Sequence, residues 1–202
     1  MSDLDPRKHP QQERSRATVD AIVEATAQLL VEEGFHKMTT NGIAERAGVS
    51  VGSVYQYFPN KEAIVVAVVE RFADEQLEIL AEGIEASLSA PLEEAVHTLI
   101  DKMLEAKRSS PDLNRVLFGQ LPPVGQIDIL FRWTDAATQV VSTALEMRSD
   151  EFAPDDLELA AFLIVNACHG IVHSTVVNRP DLLDTEALAD ETTRLVLRYL
   201  KP

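Results

Sequence analysis

The chain has 202 residues, 46% hydrophobic and 25% charged, with a formal net charge of −15 and a single cysteine, Cys168. That length buries a core, in one domain or two small ones, and one cysteine excludes an intramolecular disulfide framework. The polar start MSDLDPRKHP carries no signal-peptide core and no apolar run reaches the roughly 18 residues of a membrane span, so the expectation is a cytoplasmic protein without a membrane partner.

Residues 1–13 hold Pro6 and Pro10 in mixed charge without periodicity, which predicts a loosely held arm. Arg7, Lys8, Arg14 and Arg16 are the basic residues nearest the segment that follows, and a solvated tail and a minor-groove arm both stay open. A first helix is predicted from Ser15 or Thr18 to Glu33, with Val19, Ile22, Val23, Ala27 and Leu30 on one face. Gly34 is its expected left-handed terminator, after which Phe35 folds back onto the core.

Residues 39–61, TTNGIAERAGVSVGSVYQYFPNK, hold two short helical patterns around the Gly48-Val49 turn. That is the layout of a helix-turn-helix, whose second helix lies in the DNA major groove. The second helix, capped by Ser50, carries Ser50, Ser53, Tyr55, Gln56 and Tyr57, all able to hydrogen-bond a phosphate or a base edge, and Lys61 follows one turn later. Gly42 in the first turn of the preceding helix costs about 1 kcal/mol relative to a better helix former.

Asn60 is the expected cap of a long fourth helix running towards Gly83. Further helices are predicted over 91–108, 111–118, 127–147, 154–177 and 185–200, broken by Gly119 and the Pro122-Pro123 pair among others. No strand-like alternation or repeat interrupts them, and the chain reads as all-α with about nine helices. Residues 1–72 hold 8 Lys/Arg against 10 Asp/Glu and residues 73–202 hold 10 against 23, so the acidity sits in the C-terminal part. Nonspecific DNA binding should accordingly be weak and strongly salt-dependent.

The segment resembles the DNA-binding domain of the TetR family of bacterial transcriptional regulators. The matching residues are Gly34-Phe35, Thr39, Ile43-Ala44, Ala47-Gly48-Val49-Ser50, Gly52, Tyr55, Tyr57-Phe58 and Lys61-Glu62, within a match over about residues 14–72. The resemblance implies a reading domain over 14–60 and an antiparallel helical effector-binding and dimerisation domain over 61–202. It implies phosphate contacts from Thr40 and Asn41, phosphate or base-edge contacts from Ser50 and Ser53, and base contacts from Val51 and Gly52. Tyr55 and Tyr57 would meet the backbone, Gln56 a base edge, and Lys61 a phosphate. Gln56 is the expected specificity residue, because its amide can make two hydrogen bonds to adenine, and without an arginine the helix has no fork for guanine.

The same resemblance implies double-stranded operator DNA as partner and a homodimer through the helices at about 154–177 and 185–200, where Ala160, Ala167 and Gly170 would permit close approach. It also implies repression released by a small molecule. The body offers Phe118, Phe131, Trp133 and Phe162 among aliphatic residues, so an apolar or amphipathic effector is expected. Candidates to orient it are His97, Gln120, Trp133, Asn166, His169 and His173. His169 and His173 stand four apart but lack a third ligand at convincing spacing, so no metal and no cofactor is expected, and Cys168 is expected to be buried and inert. No G-x-S-x-G, G-x-x-x-x-G-K or HExxH motif supports an enzyme. The rival reading is a helical adaptor or scaffold without sequence-specific DNA binding, which would show damaged contacts on the reading helix.

Overall fold

The computed structural model describes residues 13–119 and 126–201, so residues 1–12 of the N-terminal arm, Gln120 and the Pro122-Pro123 pair lie outside the described residues, and Glu13, expected in that arm, is already helical. The described residues form nine α-helices and no strand. They are α1 (Glu13–Glu33), α2 (Thr40–Arg46), α3 (Val51–Tyr57), α4 (Lys61–Ser87), α5 (Leu92–Arg108), α6 (Pro111–Gly119), α7 (Gln126–Glu146), α8 (Leu157–Asn178) and α9 (Glu186–Leu200). Two short 3₁₀ turns, Ser149–Glu151 and Pro180–Leu182, were not legible in the apolar periodicity, since three residues are too few to show a period. Helix α8 starts at Leu157 rather than Pro154, because Asp156 accepts a hydrogen bond from the Leu159 N–H at 2.9 Å and is the cap.

The chain divides into two compact units, one comprising residues up to Phe72 with Arg115–Ile129, the other Ala73–Asn114 with Leu130 onward. In the first, Ile22, Leu30, Met38, Ile43, Val54, Phe58 and Ile64 are fully buried and join α1 to α4 in one small core. Gly34 (φ 76°) ends α1 as expected, its N–H donating to the Leu30 carbonyl at 3.1 Å. Phe72 and Phe118 meet edge to face, 5.9 Å between ring centres. Arg71 pairs with Glu24 at 2.8 Å, tying α4 to α1.

Gly48 (φ 68°) makes the turn between α2 and α3, and the Val49 N–H closes it on the Ala44 carbonyl at 3.0 Å. A Cβ at Gly48 would meet nothing within 4 Å, so the position asks for backbone freedom alone. Gly48→Ala is therefore expected to cost roughly 1–2 kcal/mol, read as a lower thermal midpoint, and Gly48→Asn less. An unchanged midpoint for the alanine variant would show that the turn does not need the left-handed conformation.

In the second unit, Leu80, Ala137 and Val165 form the buried centre, with Leu77, Ile84, Leu99, Trp133, Val140 and Val141 packed on it. Helix α5 lies along α9. Helices α4 and α5 pass so closely that a Cβ at Gly83 would stand 2.8 Å from Leu99 Cδ1. Asn114 is fully buried, and its amide donates to the Ser110 and Lys107 carbonyls at 2.8 and 3.3 Å, joining α5 to α6.

Helix α8 departs from the sequence expectation. It is 22 residues long, its most apolar 18-residue stretch has a mean hydropathy of 1.6, and it meets the length and apolarity of a membrane span, with 39% of that stretch buried. Asn166, His169 and His173 interrupt its apolar residues without lowering the average below that of a spanning helix. Leu159, Phe162 and Leu163 on α8 and Leu195 and Tyr199 on α9 are exposed. Phe131, at 63% exposure, and Phe162 therefore do not line the body's interior as their apolar character suggested. Ala160 is fully buried within its own chain, so it does not give a partner helix close access, whereas Gly170 is exposed with open space around it.

Candidate functional site

The reading surface is built by two short helices with paired caps. Thr39 caps α2, its hydroxyl accepting from the Gly42 N–H at 3.1 Å. Ser50 caps α3, accepting from the Ser53 N–H at 3.0 Å and sharing a 2.8 Å hydrogen bond with the Ser53 hydroxyl. Both caps hold the free N–H groups of a helix start in order, where the helix dipole favours an anionic phosphate. Arg46 grips Glu32 through two bonds of 2.6 and 2.9 Å, and the guanidinium holds that carboxyl below the usual range. This contact pins α2 to α1 at the surface.

Helical spacing turns Val54, Tyr57 and Phe58 into the core and leaves Gly52, Tyr55 and Gln56 outward. Asn41 and Ser50 are exposed, and Thr40, Val51 and Ser53 are half-buried. Tyr55 and Thr40 share a hydrogen bond of 3.2 Å between hydroxyls, so the start of α2 and the outer face of α3 form one polar patch. Gly52 is open to solvent, and a Cβ there would meet only Ser50 Oγ at 3.7 Å, so the absent side chain is not needed for packing on α2.

Two residues of the expected set sit differently from the rest. Tyr57 is buried and its hydroxyl shares a 2.9 Å bond with Ser15 of α1, which gives it a packing role. The Lys61 ammonium donates to the Phe35 carbonyl at 2.9 Å and the Met38 carbonyl at 3.4 Å, and lies 4.4 Å from the Phe35 ring centre. It therefore satisfies the loop after α1, a role that spacing along one helix could not reveal.

The second unit holds a partly open apolar cavity of about 120 Å³, lined by residues that include Leu80 and Ile84 of α4, Met103 of α5, Trp133 of α7 and Leu200 of α9. One buried water needs roughly 10–15 Å³ by this measure, so the space exceeds a packing defect. Its polar lining residues are Ser87, Trp133, Arg148 and Cys168. Burial pushes the Cys168 thiol up to about 11, which keeps it a neutral thiol, as its apolar setting in the sequence suggested.

Of the expected effector residues that are described, Trp133 lines this cavity, and His97, Asn166, His169 and His173 are not part of its lining. His97 is at the surface, 3.2 Å from Asp190 of α9, beside an open polar groove. Asn166 is exposed and donates to the Phe162 carbonyl of its own helix at 2.8 Å. His169 stacks obliquely between Trp133 and His173, at ring separations of 5.2 and 6.1 Å. Burial first, and then the charges of His173 and Lys107, push His169 down to about 4. Among the described residues no three His, Cys, Asp or Glu side chains gather as a metal site. Ser87, Arg148 and Cys168 were missed as a set, since they come from three separate helices or turns and no local spacing relates them.

Residues 22–68 match the family model described as bacterial regulatory proteins, tetR family, and residues 91–200 match a tetracyclin repressor-like C-terminal domain. The fatty acid metabolism regulator protein of Bacillus subtilis is 32% identical over 69 residues, which span 34% of this chain and 36% of that protein. Two solved structures share the fold. FadR of Bacillus subtilis, determined in complex with stearoyl-CoA, is 23% identical with a TM-score of 0.66, covering 88% of this chain and 96% of that one. SmeT of Stenotrophomonas maltophilia, determined with triclosan, is 21% identical with a TM-score of 0.66, covering 92% of each chain. These are regulators rather than enzymes. The C-terminal match alone covers more than half of the residues, and the chain belongs to the TetR family of bacterial transcriptional regulators.

Proposed function

We propose that this protein is a homodimeric, cytoplasmic repressor that holds a two-fold operator and releases it when an apolar small molecule enters the cavity of the second unit. The observation that carries the reading is the polar outer face of α3, with Ser50, Ser53, Tyr55 and Gln56 set above a capped helix start. An adaptor without DNA binding would have no use for that face. The SmeT relative is itself the repressor of a multidrug efflux pump, and the two related structures hold stearoyl-CoA, an amphipathic molecule with a long apolar acyl chain, and triclosan, which is largely apolar.

Dimerisation is supported by the exposed apolar residues of α8 and α9, Leu159, Phe162, Leu163 and Leu195, which water would otherwise face. A second copy supplies the second reading helix, one turn of DNA away. Helix α4 lines the cavity at Leu80 and Ile84 and is continuous to Lys61, so a ligand that moves it shifts the reading helix. The effector must bind the DNA-incompetent state more tightly, or nothing shifts.

The test is footprinting of the purified protein on the DNA upstream of its own and neighbouring genes, with excess competitor. A footprint of two-fold symmetry, released by apolar compounds, is the expected result; no specific protection at any salt concentration would return the adaptor reading. Gln56→Ala should then relax preference at one base pair per half-site, a loss of about 1–3 kcal/mol of discrimination in binding titrations against single-base operator variants. Unaltered preference would remove Gln56 from the reading set.

A further inference from the structure

The cavity of the second unit reaches solvent beside a charged latch. Leu88 lines the cavity and is nevertheless 40% exposed, which places an opening at the turn between α4 and α5. Two segments frame it. One is that turn, with Leu88 and Leu92 in the lining. The other is the stretch after α7, with Arg148 and Phe152 in the lining, tied to the end of α9 where the Ala153 N–H donates to the Leu200 carbonyl at 2.8 Å. Arg148 bridges the two segments. One terminal nitrogen donates to the Ala90 carbonyl at 3.0 Å, while Nε and the other terminal nitrogen hold Glu151 at 2.8 and 2.9 Å.

Among the described residues Arg148 is the one charged side chain of the lining. The cavity surface is almost wholly apolar, so Arg148 meets it along its methylene stem and carries its charge at the mouth, with 16% of the side chain exposed. Of the five guanidinium N–H groups these bonds engage three, which leaves two unspent. Glu151 shows that a carboxylate fits this guanidinium. Its side chain is 45% exposed, so it can turn into water at little cost.

An apolar wall refuses an ion, so a charged head must stop at the mouth, where the planar fork of Arg148 matches a carboxylate. We propose that the effector is an amphipathic acid whose apolar tail fills the cavity and whose carboxylate stays at the mouth on Arg148, in exchange for Glu151. This rests on the cavity being the effector site, as proposed above, and names the chemistry that site selects.

The experiment uses octanoate, 1-octanol and octylammonium, which share one tail and differ in the head. Each is titrated into the full-length protein by calorimetry near neutral pH, below its aggregation concentration. The net charge of −15 favours the cation at nonspecific sites, and an apolar site without a cation favours the alcohol. A preference for octanoate must therefore come from a local positive group. Octanoate should bind at least about five-fold more tightly than octanol and about ten-fold more tightly than octylammonium. Arg148→Met keeps the stem in the wall and should invert the order of octanoate and octanol. Glu151→Gln removes the competing carboxylate from an exposed position, and should raise octanoate affinity about three-fold while leaving octanol unchanged. If octanol binds the wild-type protein as well as octanoate does, or if Glu151→Gln leaves octanoate affinity where it was, the proposal fails while the cavity remains a ligand site. A preference for octanoate that persists in folded Arg148→Met would also overturn it. If none of the three binds the wild-type protein, the cavity reading and the proposal fall together. The wild-type and Glu151→Gln measurements decide the matter even where Arg148→Met does not fold.

Discussion

Replacing Leu163 and Leu195 together by glutamate is expected to yield a folded monomer that no longer holds its operator. Both side chains are about half exposed in the single chain, at 44% and 50%, so the substitutions remove little packing within it. Across a two-fold interface each leucine would be covered, contributing on the order of 1 kcal/mol for the half still exposed. Glutamate in its place would have to be desolvated without a partner, at several kcal/mol for each of four copies. The sum exceeds what an interface of this kind supplies, and the dimer should dissociate at micromolar concentration. Losing the second reading helix then removes an effective concentration worth about 10²–10⁴ in affinity, so operator binding should drop by at least two orders of magnitude. Sedimentation reports the mass, circular dichroism the retained helix, and titration with a full operator the affinity. A persistent dimer would move the interface elsewhere, with the exposed Phe131 and Met147 as the next residues to test.

Lys107→Met is expected to stabilise the protein, and to do so more at about pH 6 than at about pH 9. Lys107 is buried on α5, its ammonium donates to the Gln76 side chain, and burial pushes it down to about 7 from an ordinary 10.5. The folded chain holds this proton less tightly than the unfolded chain does. Stability linked to it is therefore complete above about pH 10, falls as pH drops through the window to about 7, and stays low beneath it. A shift of that size corresponds to roughly 3–5 kcal/mol between the ends of the window. Methionine keeps the length of the stem and removes the charge, so the gain should be largest where the ammonium is forced to remain. For a chain of this size each kcal/mol moves the midpoint by about 2–4 °C, which puts the effect near 10 °C at the acidic end.

His169 should leave a second, smaller step in the same melting series. Its folded value of about 4 lies below the ordinary 6.5, so stability is lost as pH falls from about 6.5 to about 4, by about 2 kcal/mol once solvent at the half-buried ring is allowed for. That step should survive in Lys107→Met and flatten in His169→Gln. An equal gain from Lys107→Met at both pH values would show that only packing had changed, and a loss would show that the partners of the ammonium outweigh its burial.

The reading unit was legible because its constraints are local. Thr39 and Ser50 act as caps within three residues of the groups they satisfy, Gly48 answers a backbone angle, and Ile43, Val54 and Phe58 follow the helical period. Within that unit the sequence did not show the intramolecular partners of Tyr57 and Lys61. Their partners, Ser15 and the carbonyls of Phe35 and Met38, lie more than twenty residues away along the chain. A hydroxyl or an ammonium next to a reading helix is equally suited to DNA and to such distant protein groups, and spacing cannot separate the two.

By itself the sequence determined the all-α class, the start of seven helices to within two residues, the turn at Gly48 and the membership of the family. Each depends on caps, turn residues and apolar periods that act over one or two turns of chain. Only the tertiary structure decided which polar side chains face the cavity. It brought Trp133 there, left His97 and Asn166 at the surface, buried Ala160, and opened the apolar side of α8 to solvent. Helix α8 is apolar on every side, so no period in its residues marks an inner face. Which side is covered depends on where the neighbouring helices pack, and that is a property of the whole chain.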